Sequence, residues 1–253
     1  MSNIFNMDQK IIELKKLIDE ANSIVFFGGA GVSTESGIPD FRSEDGLYKL
    51  KTKWDKPYEI MLSHEYFEEE TNNFYSFYRE FMINKNAKPN YAHRFLANLE
   101  KKKNLTIITQ NIDGLHQMAG SKNVIELHGS IHRNYCLDCQ TLYSLEDILK
   151  MDNIPRCPKC GGIIKPDVVL YNEGLNEMTI TKAVIALQKA DLLIVAGTSL
   201  KVYPAASLIN YFFGNNIVLI NKTNLPLDRK VRLVINDKIG DVFKKVNELG
   251  ETE

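Results

Sequence analysis

The chain carries no surplus of either charge. Lys and Arg total 31 against 32 Asp and Glu in 253 residues, a formal net charge of -1. Proteins that hold nucleic acid in general need a basic surplus or a basic face, so general nucleic-acid binding is not expected. No apolar run approaches the ~20 residues of a membrane-spanning helix, so no membrane partner is expected. The first residues lack a basic stretch followed by an apolar core, so no secretory signal is expected and the cytoplasm is the default location. Internal repeats and low-complexity tracts are also missing. Cysteine is scarce, with four residues in the whole chain, all between positions 133 and 166. Without any sign of secretion, that count argues against a disulfide framework. One last lack is local. The dinucleotide fingerprint G-x-G-x-x-G is incomplete, because Gly29 and Gly31 fit but Thr34 stands where the third glycine belongs. No clear acidic ribose partner follows about 20 residues on, which argues against a Rossmann dehydrogenase.

What remains is the composition of a globular protein, 44% apolar and 25% charged. Its organising stretch is residues 24–43, IVFFGGAGVSTESGIPDFRS. A short β-branched and aromatic run enters a glycine-rich turn, as a buried parallel strand does before a phosphate-binding loop. The polar run Ser33, Thr34, Glu35, Ser36 is placed to open a helix whose N-terminus faces an anion. Beyond it, Pro39, Asp40, Phe41 and Arg42 add a rigid turn, a carboxylate, an aromatic ring and a guanidinium.

Periodicity predicts helices over 9–21, 71–82, 92–99, 178–190, 204–213 and 241–249. It predicts strands over 24–27, 105–109, 124–127, 191–196, 217–220 and 232–235. The aromatic stripe of 71–82 (Phe74, Phe77, Tyr78, Phe81) reads as helix core. Alternation of strands and helices predicts an α/β fold: a Rossmann-like parallel sheet with helices on both faces. In such sheets ligands sit outside the carboxyl ends of the strands. Five of those ends carry small or polar residues: 28–31, 110–113, His128, 197–199 and Asn221. Together they would line one crevice.

Cys136-x-x-Cys139 and Cys157-x-x-Cys160 have the spacing of a tetrahedral zinc site. Two disulfides or four free thiols are the alternatives, and a reducing compartment favours zinc. Four protein ligands leave no open coordination position, so the metal is expected to be structural. Among the histidines, His64, His93 and His132 read as surface or core groups, and His116 as structural support. His128 closes a strand at the ligand edge, where its ordinary pKa near 6.5 suits a general base. The residues alone go as far as a dinucleotide site with a histidine base and no obvious nucleophile.

The segments GAGVSTESGIPDFRS, TQNIDGLH, ELHGS, the paired C-x-x-C knuckles, KPDVV and GTSL occur in the order seen in sirtuins. From about residue 11 to 249 the chain resembles that family of NAD-dependent protein lysine deacylases, in a compact bacterial form. The resemblance implies one catalytic domain over 1–253. Its large Rossmann-like part would take about 8–43, 90–130 and 167–250. A small domain would come from insertions at about 44–89 (helical) and 131–166 (zinc ribbon).

The resemblance also implies the site. Gly29, Ala30, Gly31 and Thr34 would meet the NAD phosphates. Asp40, Phe41 and Arg42 would belong to the cofactor loop, whose second half would fold over the nicotinamide end. Gln110, Asn111, Ile112 and Asp113 would form the nicotinamide and ribose pocket, with His128 as general base beside Asn111 and Asp113. Gly197, Thr198, Ser199 and Asn221 would hold the adenosine half, with Lys238 or Ile239 touching adenine through backbone. Val168 and Val169 would line the acyl-lysine tunnel and pair with the substrate backbone. NAD would be consumed: the acyl oxygen of an acetylated lysine attacks the ribose, nicotinamide leaves, and free lysine and O-acetyl-ADP-ribose result. The substrate would thus supply the nucleophile. Two departures are visible. Asn172 stands where the family often has glycine in its substrate loop. The Tyr-x-x-Arg pair of members that prefer acidic acyl groups falls on Tyr75 and Tyr78, without the arginine, which favours acetyl and other neutral acyl groups. An NAD glycohydrolase, an ADP-ribosyltransferase and a non-enzymatic NAD or zinc-ribbon binding module are the rival readings.

Overall fold

A computed structural model describes residues 6–40, 54, 56–223 and 230–250. Its elements in chain order are α1 (Met7–Glu20), β1 (Ser23–Gly28), α2 (Tyr58–Met61), α3 (His64–Glu69), α4 (Thr71–Phe81), α5 (Tyr91–Glu100), β2 (Asn104–Thr109), α6 (Leu115–Met118) and β3 (Val124–Glu126). Then follow β4 (Gly129–Cys136), β5 (Leu142–Ser144), α7 (Leu145–Lys150), β6 (Ile164–Val168), α8 (Glu177–Lys189), β7 (Leu192–Ala196), β8 (Asn216–Ile220), β9 (Leu233–Ile235) and α9 (Ile239–Gly250).

Local chemistry sets these boundaries. Asn6 accepts from Gln9 N while the Gln9 side chain accepts from Asn6 N, a capping box that starts α1. Its apolar stripe, Ile11, Leu14, Leu17 and Ile18, is buried. The Asp191 carboxylate then accepts from Asn22 N and Ser23 N, at 3.0 and 3.1 Å, which ties the start of β1 to the chain entering β7.

β1 pairs with β2 on one side and β7 on the other, all parallel. Among the described residues the sheet has six strands in the order β3-β2-β1-β7-β8-β9. The strand order reverses at β1/β7, which is where a doubly wound sheet opens its ligand crevice. One face packs on α1, α5 and α9, the other on α8 and a 3-10 helix, Ala205–Tyr211. The expected helix over 204–213 is therefore 3-10, a tighter form common in short connectors. The expected helix at 33–36 is also absent as an α-helix. Two single 3-10 turns, Ala30–Val32 and Thr34–Ser36, take its place and end at Gly37 in the left-handed region.

The second sheet is small and antiparallel, β5-β4-β6. Against it pack α2, α3 and α4, whose aromatic stripe forms a core of its own with Ile131, Val168 and Leu170. Tyr75 and Tyr78 belong to that core, and the Tyr75 hydroxyl donates to the Ile164 carbonyl. Phe77 touches three rings, Trp54, Tyr58 and Phe81, with centroids 5.9, 5.0 and 5.0 Å away.

Beyond that core, the four cysteine sulfurs lie within 4.8 Å of one another. The Cys136–Cys160 and Cys139–Cys157 sulfurs are 3.4 and 3.6 Å apart. That is too long for a disulfide and close to the ~3.8 Å edge of a tetrahedron built on 2.3 Å zinc–sulfur bonds. The hydroxyls of Tyr143 and Thr141 lie 3.0 and 3.2 Å from the Cys157 and Cys139 sulfurs, placed to donate to thiolates. A Cβ on Gly162 would come within 2.9 Å of the Cys136 sulfur, so glycine is needed for the second knuckle to close. The set fits one structural zinc.

Phe77→Ala should cost about 3–5 kcal/mol in urea unfolding, by emptying the centre of the aromatic core. Stripping zinc should unfold the 131–166 segment and lower activity. Full near-UV signal and full turnover in a sample shown metal-free by atomic emission would contradict the structural role.

Candidate active site

The parallel register levels the strand ends. Gly28 pairs with Thr109 and Ala196, Thr109 with Glu126, Ala196 with Ile220, and Ile220 with Ile235. The residues after these positions therefore emerge along one edge, which brings the polar strand ends of the sequence together.

At the switch point the loop after β1 meets the loop after β7. Gly29 N donates to Ala196 O at 3.2 Å and Gly31 N to Gly197 O at 2.8 Å. A Cβ on Gly31 would stand 2.7 Å from Gly197 Cα, and Gly197 itself has φ +59. These glycines thus let two loops touch, and their own N–H groups are spent on protein carbonyls. The Thr34 hydroxyl donates back to Gly31 O at 3.0 Å, so the residue in the place of the third glycine closes the turn. Glu35 accepts from Gly240 N at 3.1 Å, setting a carboxylate at the start of α9.

The ends of β1 and β2 share a polar network. Ser33 Oγ donates to Asp113 Oδ2 at 2.6 Å, and Asn111 Nδ2 donates to Ser33 Oγ at 3.1 Å. Leu115 N donates to the other Asp113 oxygen. Burial raises the Asp113 pKa above the ordinary carboxylate value, against the opposing effect of the Ser33 and Leu115 donors. Ile112 passes its carbonyl to Ile131 N, which joins this loop to β4. Gln110 Nε2 donates to Thr198 Oγ1 at 3.3 Å across the crevice, and Thr198 Oγ1 also accepts from Leu200 N. Ser199 follows on the same loop. Asn221 fixes the turn after β8 by donating to Thr223 O. Ile239 is buried in the core, with its Cδ1 close under Gly197. Asp40 ends the described part of the cofactor loop, and Phe41 and Arg42 lie outside the described residues.

His128 sits between the two sheets, after β3 and before β4. Its Nδ1 lies 2.9 Å from Gln110 O. A carbonyl only accepts, so Nδ1 carries the proton and Nε2 is the basic nitrogen. Burial lowers the His128 pKa below the ordinary value, against the opposing pull of that carbonyl. The neutral imidazole is therefore the resting form at neutral pH.

The other histidines have structural surroundings. His93 and His116 are buried edge to face, 4.7 Å between centroids, and burial pushes their pKa values down to about 4 and about 3. His132 Nε2 meets Asp113 O at 3.0 Å. His64 lies at the surface beside Glu173.

β6 is an edge strand of the small sheet, and Val168 closes it. Val169 N donates inward to His128 O at 3.0 Å, so this edge runs beside the histidine. Asn172 adopts φ +70, the left-handed turn that glycine would also take. Two residues take parts in this geometry that the sequence does not assign to them. Ser33 bridges Asn111 and Asp113, and its signal was its position right after the glycine turn. Glu173 gathers donors from three segments, a role that only long-range contacts reveal.

The family model for the Sir2 family matches residues 29–204. Relatives named NAD-dependent protein deacetylase are 61% identical in Clostridium acetobutylicum, over 94% of this chain and 98% of theirs. In Clostridium perfringens the identity is 58%, over 95% and 99%. Among solved structures, a Sir2 bound to acetylated peptide superposes with TM-score 0.84 at 36% identity, covering 96% of this chain and all of that one. A complex of Sir2 with a p53 peptide and NAD+ gives TM-score 0.84 at 37% identity, with the same coverage. With that match through the glycine loop, the histidine and the cysteine cluster, the chain belongs to the Sir2 family.

Proposed function

We infer that this chain is an NAD-dependent protein lysine deacetylase, and we propose that His128 is its general base. The observation that carries the assignment is the fixed tautomer of His128. Gln110 O holds Nδ1, which leaves a neutral Nε2 at the carboxyl edge of the sheet, the same edge that carries the Asn111, Ser33 and Asp113 network.

In this reading Gly29, Ala30, Gly31 and Thr34 shape the phosphate end of the NAD site, and Asp40, Phe41 and Arg42 belong to the loop that folds over the nicotinamide end. Gln110, Asn111, Ile112 and Asp113 hold nicotinamide and its ribose. Gly197, Thr198, Ser199, Asn221 and Ile239 hold the adenosine half. The acetyl-lysine peptide adds to the β6 edge at Val168 and Val169, main chain to main chain. The acetyl oxygen attacks the ribose carbon as nicotinamide departs. His128 Nε2 takes the proton of a ribose hydroxyl, and that oxygen attacks the former amide carbon. Lysine leaves as the free amine and the acetyl group stays on ADP-ribose. No side-chain nucleophile is needed. Cys136, Cys139, Cys157 and Cys160 hold a structural zinc.

The same proposal keeps the domain division at 8–43, 90–130 and 167–250 against 44–89 and 131–166. It also places the protein in the cytoplasm, consistent with a thiolate cluster and with no described helix long and apolar enough to cross a membrane. Acetyl and other neutral acyl groups are the preferred cargo, because the position of the acid-reading arginine is taken by Tyr78, buried in the aromatic core.

His128→Ala should reduce deacetylation by at least about a hundredfold, the scale of general-base catalysis, while NAD still binds. Wild-type turnover in that variant would remove His128 from the mechanism. Because burial lowers the His128 pKa, the base is protonated only in acid. The kcat at saturating peptide and NAD should therefore be flat through neutral pH and fall on an acid limb that lies under 6.5. A glycohydrolase would consume NAD without peptide, whereas the deacetylase consumes it only when an acetylated peptide is present. In an acyl panel, a succinyl peptide should be cleaved more slowly than its acetyl twin.

A further inference from the structure

The segment after β6 is fastened to α3 as well as to His128. Tyr171 N donates to Leu62 O at 2.9 Å and His64 N to Tyr171 O at 3.0 Å, a parallel bridge between Ser63 and Tyr171. Asn172 Nδ2 donates to Glu65 Oε2 at 2.9 Å. The hub of the fastening is Glu173. Its carboxylate accepts from Leu170 N at 2.8 Å and from Lys165 Nζ of β6 at 3.2 Å, and it faces His64 Nδ1 at 2.9 Å. Lys165 Nζ also donates to Val168 O. One carboxylate therefore organises the backbone of 168–171, the stretch whose other end hangs on His128 O through Val169 N.

We propose that Glu173 is a positioning residue for the acyl-lysine peptide, and that its partner His64 makes peptide binding depend on pH. This rests on the reading that the peptide lies along Val168 and Val169. A peptide that adds as a strand needs the edge already in extended register. Any slack at 168–171 raises the ordering cost of binding. Glu173 removes that slack without touching the peptide.

The His64 ring lies between two carboxylates. Nδ1 faces Glu173, and Nε2 lies 3.3 Å from Glu68. A neutral imidazole has one N–H and serves one of them, whereas the imidazolium serves both. The other charged groups facing it are Lys165, which opposes protonation, and Glu65 at the start of the same helix. The Glu173 contact raises the His64 pKa above the ordinary value, and Glu68 adds to it. Burial on its own would raise the Glu173 pKa. The Leu170 N–H, His64 and Lys165 outweigh it and hold the carboxyl ionised. As pH rises through the His64 titration the positive charge beside Glu173 is lost, and the single N–H that the neutral ring keeps serves Glu173 or Glu68 but not both. Peptide binding should then weaken toward alkaline pH, the opposite sense from the His128 limb.

The test uses the full zinc-loaded chain and an acetyl-lysine peptide with no other group titrating between pH 6 and 9. The peptide Kd is measured by calorimetry across that range, with the NAD Kd as control. Wild type should bind peptide several-fold more weakly at pH 8.5 than at pH 6. His64→Gln should flatten that dependence. Glu173→Gln should weaken peptide binding by about tenfold at pH 6, the scale of charge-assisted hydrogen bonds, and leave the NAD Kd unchanged. If Glu173→Gln is poorly folded by thermal melt, His64→Gln carries the test, since that side chain lies half exposed. A wild-type Kd flat in pH, or an unchanged dependence in His64→Gln, overturns the proposal. Val169→Glu separates the two levels. If it binds peptide like wild type, the edge is not the peptide site and the proposal falls with it. If it loses binding while Glu173→Gln does not, the edge stands and only the positioning role is refuted.

Discussion

The contact on which the site depends is glycine against glycine at the β1/β7 switch point. Gly31 N reaches Gly197 O at 2.8 Å, and a Cβ on either residue would meet backbone within 2.7 Å. Only because these loops touch does Thr198 come within reach of Gln110, across the mouth of the crevice. The same closeness sets Val32 and Ile239 into one core beneath the loops. A dinucleotide loop is usually explained by donors aimed at phosphate. Here Gly29 and Gly31 spend their donors on the neighbouring strand end. What they supply is proximity, and the polar residues of the site inherit their spacing from it.

A second constraint lies at the point where the chain leaves the main sheet. His128 is followed at once by Gly129, which has φ +74 and packs so closely on Asp167 that a Cβ would lie 1.9 Å from its carbonyl oxygen. Val169 returns to bond His128 O. The whole cysteine segment is therefore an excursion between two residues that hydrogen-bond each other. Its fold determines whether Val169 comes back in register. In the proposed mechanism this is how a metal site without an open coordination position would matter: it would hold the β6 edge at a fixed distance from His128.

Much of this was legible in the sequence, for identifiable reasons. Strand-type runs ending in Gly28, Thr109 and Ala196 signal a parallel sheet because such strands are apolar on both faces. C-x-x-C pairs are legible because zinc chemistry demands their spacing. The stripe of Phe74, Phe77 and Tyr78 shows helix core directly. Less visible were features that depend on distant partners. The run from Ser33 to Ser36 looks like a helix start, yet Thr34 bonds back to Gly31 and Glu35 reaches Gly240, so the chain settles into two tight turns. Ser33 gains its meaning from Asn111 and Asp113, some eighty residues on. Asn172 is legible only as a departure from glycine, and the backbone shows it keeping the left-handed turn while its amide reaches Glu65.

The electrostatics of the site follow from one cause acting on two groups. Burial raises Asp113 and lowers His128, so each is pushed toward its neutral form. They differ in what resists it. Asp113 has the Ser33 hydroxyl and the Leu115 N–H, which favour the carboxylate. His128 has a carbonyl on Nδ1, which fixes the tautomer but adds no charge. A carboxylate in that place would raise the imidazole pKa, against the effect of burial. With a carbonyl, Nε2 stays free at neutral pH. In the proposed chemistry it takes its proton from a bound ribose hydroxyl, a step that needs the neutral ring which burial favours.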